Sequence, residues 1–172
     1  MLVSEFVSDV IVRSEGKLPT FTTGSTKWLR IVAQGNIFLR QFARERGAEW
    51  NRYYEKAKSL GTVSATDTFA IPSTVYKISQ RDGDSLRIVH TDGTWTDYTL
   101  IPHNQLKNKA TGAYASKIGR NIIFNRAFTS TDPQFGGTVY LPCYELPSTF
   151  SADGDEIDHD NPDWLVATVA AD

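Results

Sequence analysis

Three histidines, His90, His103 and His159, are the first residues to inspect for acid–base or metal chemistry. No two of them stand at HxxxH or HExxH spacing, so a helix face carrying two imidazoles is excluded, and each reads as an isolated surface or core residue. Cys143 is the one cysteine. Its neighbours Val139-Tyr140-Leu141-Pro142 and Tyr144 offer no base, so a buried, reduced strand thiol is expected and an activated nucleophile is not. No serine sits in GxSxG, and the glycines form neither GxGxxG nor a P-loop. Asp97 and Glu145 could form an acid–base pair only if the fold brought them together, and nothing in the sequence says that it does.

The run Asp153-Gly154-Asp155-Glu156-Ile157-Asp158-His159-Asp160 invites a calcium reading. It departs from the EF-hand template: the glycine falls at loop position two, and Trp164 stands where a bidentate Glu is needed. A solvated acidic loop without metal is expected, exposed in the single chain and gaining contacts on assembly. The opposite charge collects upstream in Arg30, Arg40, Arg44 and Arg46. These arginines are not interleaved with exposed aromatic residues, so a sequence-specific nucleic-acid reader is a poor fit. No catalytic, metal-binding or cofactor-binding residue emerges, and no cofactor is expected.

The elements that must position these residues change character along the chain. Leu2, Val3, Phe6, Val7, Val10 and Ile11 recur at helical spacing and predict a helix over 3–15, stopped by Gly16. Ser25 reads as the N-cap of a second helix over 26–46, with Trp28, Ile31, Val32, Phe38, Leu39 and Phe42 on its apolar face. Gly35 inside that face predicts a close-packing point, and Gly47 an end or a bend. The stretch 49–58 is compatible with either a helix or a path into a strand. From Gly61 to about Phe150 the helical period disappears, and six to eight short strands are expected in an antiparallel β-sandwich or barrel. Asp82-Gly83 and Asp92-Gly93 predict two-residue hairpin turns, and Pro102–Leu106 a single helical turn. Asn161-Pro162-Asp163-Trp164 predicts a last helix over 162–171, with Asn161 as N-cap. That helix runs to Asp172 without a cap, so a longer natural chain is expected.

The fold class is therefore α+β. An N-terminal helix pair (1–60) and a C-terminal segment (153–172) are expected to pack together, with a β domain (61–152) inserted between them. Within 172 residues of net charge −2, the charge is uneven. Residues 1–60 hold 10 Lys and Arg against 6 Asp and Glu, 61–150 hold 8 against 7, and 151–172 hold none against 7. A segment of seven acids will not sit on DNA phosphate but suits a basic surface of a neighbouring subunit. No apolar run is long enough for a membrane helix, and the N-terminus lacks a signal-peptide pattern, so a cytoplasmic product is expected.

The order of these segments carries a resemblance: Ser25-Thr26-Lys27-Trp28-Leu29-Arg30-Ile31-Val32-Ala33-Gln34 opening the long helix, Thr68-Phe69-Ala70-Ile71-Pro72-Ser73-Thr74-Val75-Tyr76-Lys77-Ile78 opening the β part, and Asn161-Pro162-Asp163-Trp164-Leu165-Val166-Ala167 opening the returning helix. It resembles the tailed-bacteriophage head-to-tail adaptor (connector) proteins that carry a β insertion. The resemblance implies a structural virion protein without catalytic residues, located in the neck and assembled in the host cytoplasm. It implies a homo-oligomeric ring, of twelve copies in the family, between the portal and the tail, stopper or nozzle protein, with genomic DNA passing through the lumen unread. The expected subunit interface is Trp28, Arg30, Arg40, Arg44, Asp155, Glu156, Asp158 and Trp164, with Arg40 and Arg44 meeting a neighbour's 153–160 loop. The rival readings are a β-rich tail or fibre module stacking sugars or binding protein through Trp95, Tyr98, Tyr114 or Tyr144, and a small hydrolase.

Overall fold

The computed structural model describes residues 1–17, 21–46, 53–157 and 161–171. They form helices α1 (Val3–Glu15), α2 (Thr26–Arg46), α3 (His103–Leu106) and α4 (Pro162–Ala171). The strands are β1 (Tyr54–Thr62), β2 (Thr68–Ala70), β3 (Val75–Ile78), β4 (Leu86–Val89), β5 (Trp95–Leu100), β6 (Tyr114–Ile118), β7 (Asn121–Phe124) and β8 (Thr138–Glu145). The chain is mixed α+β and divides into two compact units, one from residues 1–50 with 146–172, the other from 51–145. This moves both expected boundaries of the β part. β1 begins before Gly61, and the segment after Glu145 belongs to the helical unit. Gly47 and residues 49–52 lie outside the described residues, so the expected stop at Gly47 falls there.

In the helical unit, α1 buries Val3, Phe6, Val7, Val10 and Ile11. It ends where Gly16, at φ 64°, donates its N–H to the Val12 carbonyl at 2.9 Å. The first free N–H groups of α1 are satisfied from the far end of the chain: Val3 N–H donates to the Asp155 carbonyl at 3.0 Å and Ser4 N–H to that of Asp153 at 3.2 Å. Ser25 Oγ accepts the Trp28 N–H at 3.3 Å as the α2 N-cap, and Asn161 Oδ1 does the same for Trp164 at 3.3 Å in α4. Side chains of α1, α2 and α4 share one apolar cluster with Phe150 and Ile157. Burying each of its large side chains contributes about 1.5–3 kcal/mol.

Gly35 is the closest approach in this core. A Cβ there would stand 2.8 Å from Phe150 Cζ and 2.9 Å from Phe6 Cζ. Beside it, the Asn36 side chain pairs with the returning backbone, donating to the Phe150 carbonyl at 2.8 Å and accepting its N–H at 3.0 Å.

The β unit is one nearly closed, barrel-like sheet with strand order β1-β8-β4-β5-β6-β7-β2. β8 is its spine. β1 runs along one edge of β8, while β4 and β3 share the other, β4 at Thr138–Tyr140 and β3 at Cys143–Glu145. The core holds Phe124 against Tyr98, Phe128 and Phe69 at ring separations of 4.8, 5.2 and 5.5 Å.

The sheet is not wholly antiparallel as expected. β5 and β6 pair in parallel through Thr99–Tyr114 and Leu100–Ala115, because α3 and its flanking loop supply a crossover long enough to reverse the chain twice. Asp82-Gly83 is the centre of a turn, with the Asp84 N–H on the Arg81 carbonyl at 3.0 Å, but neither Asp-Gly closes the expected two-residue hairpin. Between β4 and β5, His90 and Thr94 flank a three-residue loop (Gly93 N–H to His90 O 3.1 Å, His90 N–H to Thr94 O 2.8 Å). Only Gly93 has positive φ; Asp92 keeps a negative one, and its carboxylate accepts the Thr94 N–H at 2.9 Å. Asp82-Gly83 joins β3 to β4, which are not paired with each other because both pair with β8.

Candidate functional site

The expected interface residues that the structure describes lie in the helical unit, and the structure separates them by exposure. At 100° per residue, Leu29, Arg30, Ala33, Ile37, Arg40 and Arg44 fall within an arc of about 120° on α2, opposite Trp28, Ile31, Val32, Gly35 and Leu39. All six are exposed. Leu29 is 54% exposed and Ile37 61%. Among the described residues none of Arg30, Arg40 and Arg44 makes an ion pair. Trp28 is different. It is 3% exposed, its ring lies in the core, and its indole N–H donates to Asp153 Oδ1 at 2.9 Å. Almost none of its surface is left for a neighbour, so its expected interface role becomes a core role. Trp164 is half-buried, its ring 4.6 Å from that of Phe42.

The acidic segment is not the free loop expected from its charge. Asp153 accepts hydrogen bonds from Trp28 and from the Thr23 hydroxyl. Asp155 closes its own turn by accepting the Ser151 and Ala152 N–H groups at 2.7 and 2.9 Å, and these bonds hold its carboxyl below the ordinary Asp range. Ile157 is buried, its N–H on the Met1 carbonyl at 3.0 Å, and Glu156 stays exposed opposite Leu2. The expected partnership of Arg40 and Arg44 with a neighbour's 153–160 loop therefore loses two of its acids to internal bonding. Asp158 and the rest of 158–160 lie outside the described residues.

Leu29 and Ile37 were not among the expected interface residues, although both are apolar and fall off the apolar face of α2. Nor was the outward side of α1. There Leu2, Glu5, Asp9 and Val12 share an arc of about 80° opposite the buried Val3, Phe6, Val7, Val10 and Ile11. Leu2 and Val12 are each 43% exposed.

The β unit holds a cleft of about 710 Å³ between the β3–β4 connection and the ends of β5 and β6. Ser79, Arg81, Asp84, Tyr98, His103 and Lys117 are among its lining residues. At one end Asp84 accepts the Tyr54 hydroxyl at 2.5 Å and the Ser79 hydroxyl. Burial and that bond push the Tyr54 phenol up to about 12. Arg81 donates to Tyr144 Oη at 2.8 Å and lies over the Tyr54 ring at 4.4 Å.

Among the described residues this cluster holds no nucleophile–base pair of the Ser–His kind: the Ser79 hydroxyl donates a hydrogen bond to the Asp84 carboxylate, and no imidazole is bonded to either. Both ring nitrogens of His90 are taken by Thr94 and Thr96. Asp97 is committed to Arg87 (2.7 Å) and Glu145 to Lys58 (2.7 Å), so the imagined carboxylate pair does not form. Cys143 is fully buried, and burial pushes its thiol up to about 12. Among the described residues no three His, Cys, Asp or Glu side chains gather as a metal site, and no helix is long and apolar enough to cross a membrane. No protein-family model matches the chain, and no curated protein sequence matches it.

Proposed function

We propose that this chain is a structural subunit of a homo-oligomeric ring, a head-to-tail adaptor joining a phage portal to the tail, stopper or nozzle protein around the DNA channel. The observation that carries the reading is the outward stripe of α2, where two largely exposed aliphatic residues, Leu29 and Ile37, stand among three arginines that have no ion-pair partner among the described residues. A soluble surface that combines aliphatic and unpaired basic groups on a rigid helix is suited to a protein contact. The layout supports the same role. Both chain ends build one helical unit, and a barrel-like unit is inserted between them, the order of parts that the adaptor resemblance implies. The experiment is electron microscopy of a portal incubated with the purified chain. Rings stacked on the portal are expected, and a portal left bare at saturating chain overturns the reading.

A second reading, a binding module of a phage tail or fibre, is favoured by the cleft of the β unit. Its volume of about 710 Å³ suits a small ligand. The sugar-stacking form of this reading is weaker. Of Trp95, Tyr98, Tyr114 and Tyr144, only Tyr98 lines that cleft, and Tyr98 and Tyr144 are buried. A rise in melting temperature with one oligosaccharide of a panel would favour this module over the ring.

A further inference from the structure

We infer that the α2 stripe of one copy is covered by the outward face of α1 from the next copy, so that the ring is built from a head-to-tail contact between two different helix faces. The inference rests on the ring reading and names the surfaces that make it. The two faces are complementary in kind. The α2 face offers Arg30, Arg40 and Arg44 around Leu29, Ala33 and Ile37, and the α1 face offers Glu5 and Asp9 between Leu2 and Val12. Leu2 to Val12 spans about 15 Å of helix, enough to cover about two thirds of the roughly 22 Å from Leu29 to Arg44.

Pairing like with like fails on charge. Two α2 faces would set three arginines against three, and two α1 faces would set Glu5 and Asp9 against themselves. DNA fits the arginines but not Leu29 and Ile37, which phosphate contact would leave unburied. The acids of the 153–157 turn are poorer partners than Asp9, because Asp153 and Asp155 are bonded within their own subunit; Glu5 accepts the Leu2 N–H at 2.8 Å through one carboxylate oxygen and keeps the other for a second donor. Contact between two different faces leaves one of each free on every new copy, so it propagates and closes into a ring when the rotation allows. One helix pair buries less than a standard interface of about 1,600 Å², so association of free chains is weak and ring closure strengthens it.

Analytical ultracentrifugation of the full chain at low ionic strength, over rising concentration, tests this. Wild type is expected to pass beyond dimer. Arg40→Glu with Arg44→Glu, and separately Asp9→Arg with Val12→Arg, are expected to remain monomeric. Mixing the two variants restores association, because each supplies the charge that the other now needs; that restoration also shows both are folded. Wild type that stays monomeric throughout, either variant associating alone as wild type does, a mixture that stays monomeric, or association seen only with duplex DNA present would each overturn the inference. The same proteins on portals separate the two levels. Rings from wild type and equally from the arginine variant sink the proposed contact and leave the adaptor reading standing. Association in solution without any ring on a portal does the reverse.

Discussion

Replacing Gly35 by alanine sets two opposed effects against each other in the middle of α2. Alanine is a better helix former than glycine by about 1 kcal/mol, so at an open position the change would stabilise. Gly35 is not open. The new methyl would stand 2.8 Å from Phe150 Cζ and 2.9 Å from Phe6 Cζ, inside van der Waals contact with both. Those rings cannot swing aside cheaply, because both are almost fully buried and packed edge to face at 5.7 Å. Overpacking of this kind costs about 1–3 kcal/mol, so with about 2 kcal/mol of strain against the propensity gain, the net is a loss of about 1 kcal/mol. The assay is urea unfolding followed by far-ultraviolet circular dichroism and tryptophan fluorescence. Ala33→Gly, measured in dilute protein at high ionic strength where the chain is monomeric, serves as the control, since Ala33 is exposed on the same helix of the single chain and there reports propensity alone. That control should lose about 1 kcal/mol. If Gly35→Ala instead gains stability by the amount the control loses, the phenylalanine rings yield freely, and the tight packing at this crossing is refuted.

Other consequences follow from single contacts. Gly137→Ala would place a Cβ 2.5 Å from the Val89 carbonyl oxygen, a backbone atom that cannot rotate away, so a loss of about 2 kcal/mol or more is expected in the denaturant unfolding of the β unit. Cys143, fully buried with its thiol pushed up to about 12, should react with a thiol reagent only on unfolding; rapid labelling of native protein would contradict that placement. The Asp97 carboxyl is held below its ordinary value by Arg87, that of Asp132 by Arg126, and that of Asp155 by the Ser151 and Ala152 N–H groups. A carboxylate with a depressed folded value stabilises fully above its unfolded value of about 3.9 and loses that contribution as pH falls towards the folded one. The melting temperature should therefore hold from neutrality to about pH 5 and fall below about pH 4, and a decline beginning near pH 6–7 would point to histidine instead.

Local chemistry made much of this protein legible in the sequence. The spans of α1, α2 and α4 follow from the spacing of apolar residues, and their ends from Gly16, Ser25 and Asn161, whose conformations or side chains satisfy the free backbone groups of a helix end within a few residues. The β character of 68–145 was equally local, written in β-branched and aromatic runs between turn residues. What escaped was whatever depended on distant partners. β1, Tyr54-Glu55-Lys56-Ala57-Lys58-Ser59-Leu60-Gly61-Thr62, has poor strand formers and is extended because β8 pairs along it, from Thr62 with Thr138 to Tyr54 with Tyr144, distant in sequence. The parallel pairing of β6 with β5 is likewise a decision of topology. The site divides in the same way. Spacing along a helix shows that Arg30, Arg40 and Arg44 share one side. Only tertiary packing decided that Trp28 is consumed by the core, that Asp153 and Asp155 are spent on internal hydrogen bonds, and that Leu29 and Ile37 are left facing outward. Exposure is a property of how helices meet, because the same periodic residue is covered or bare depending on which neighbour lies over it.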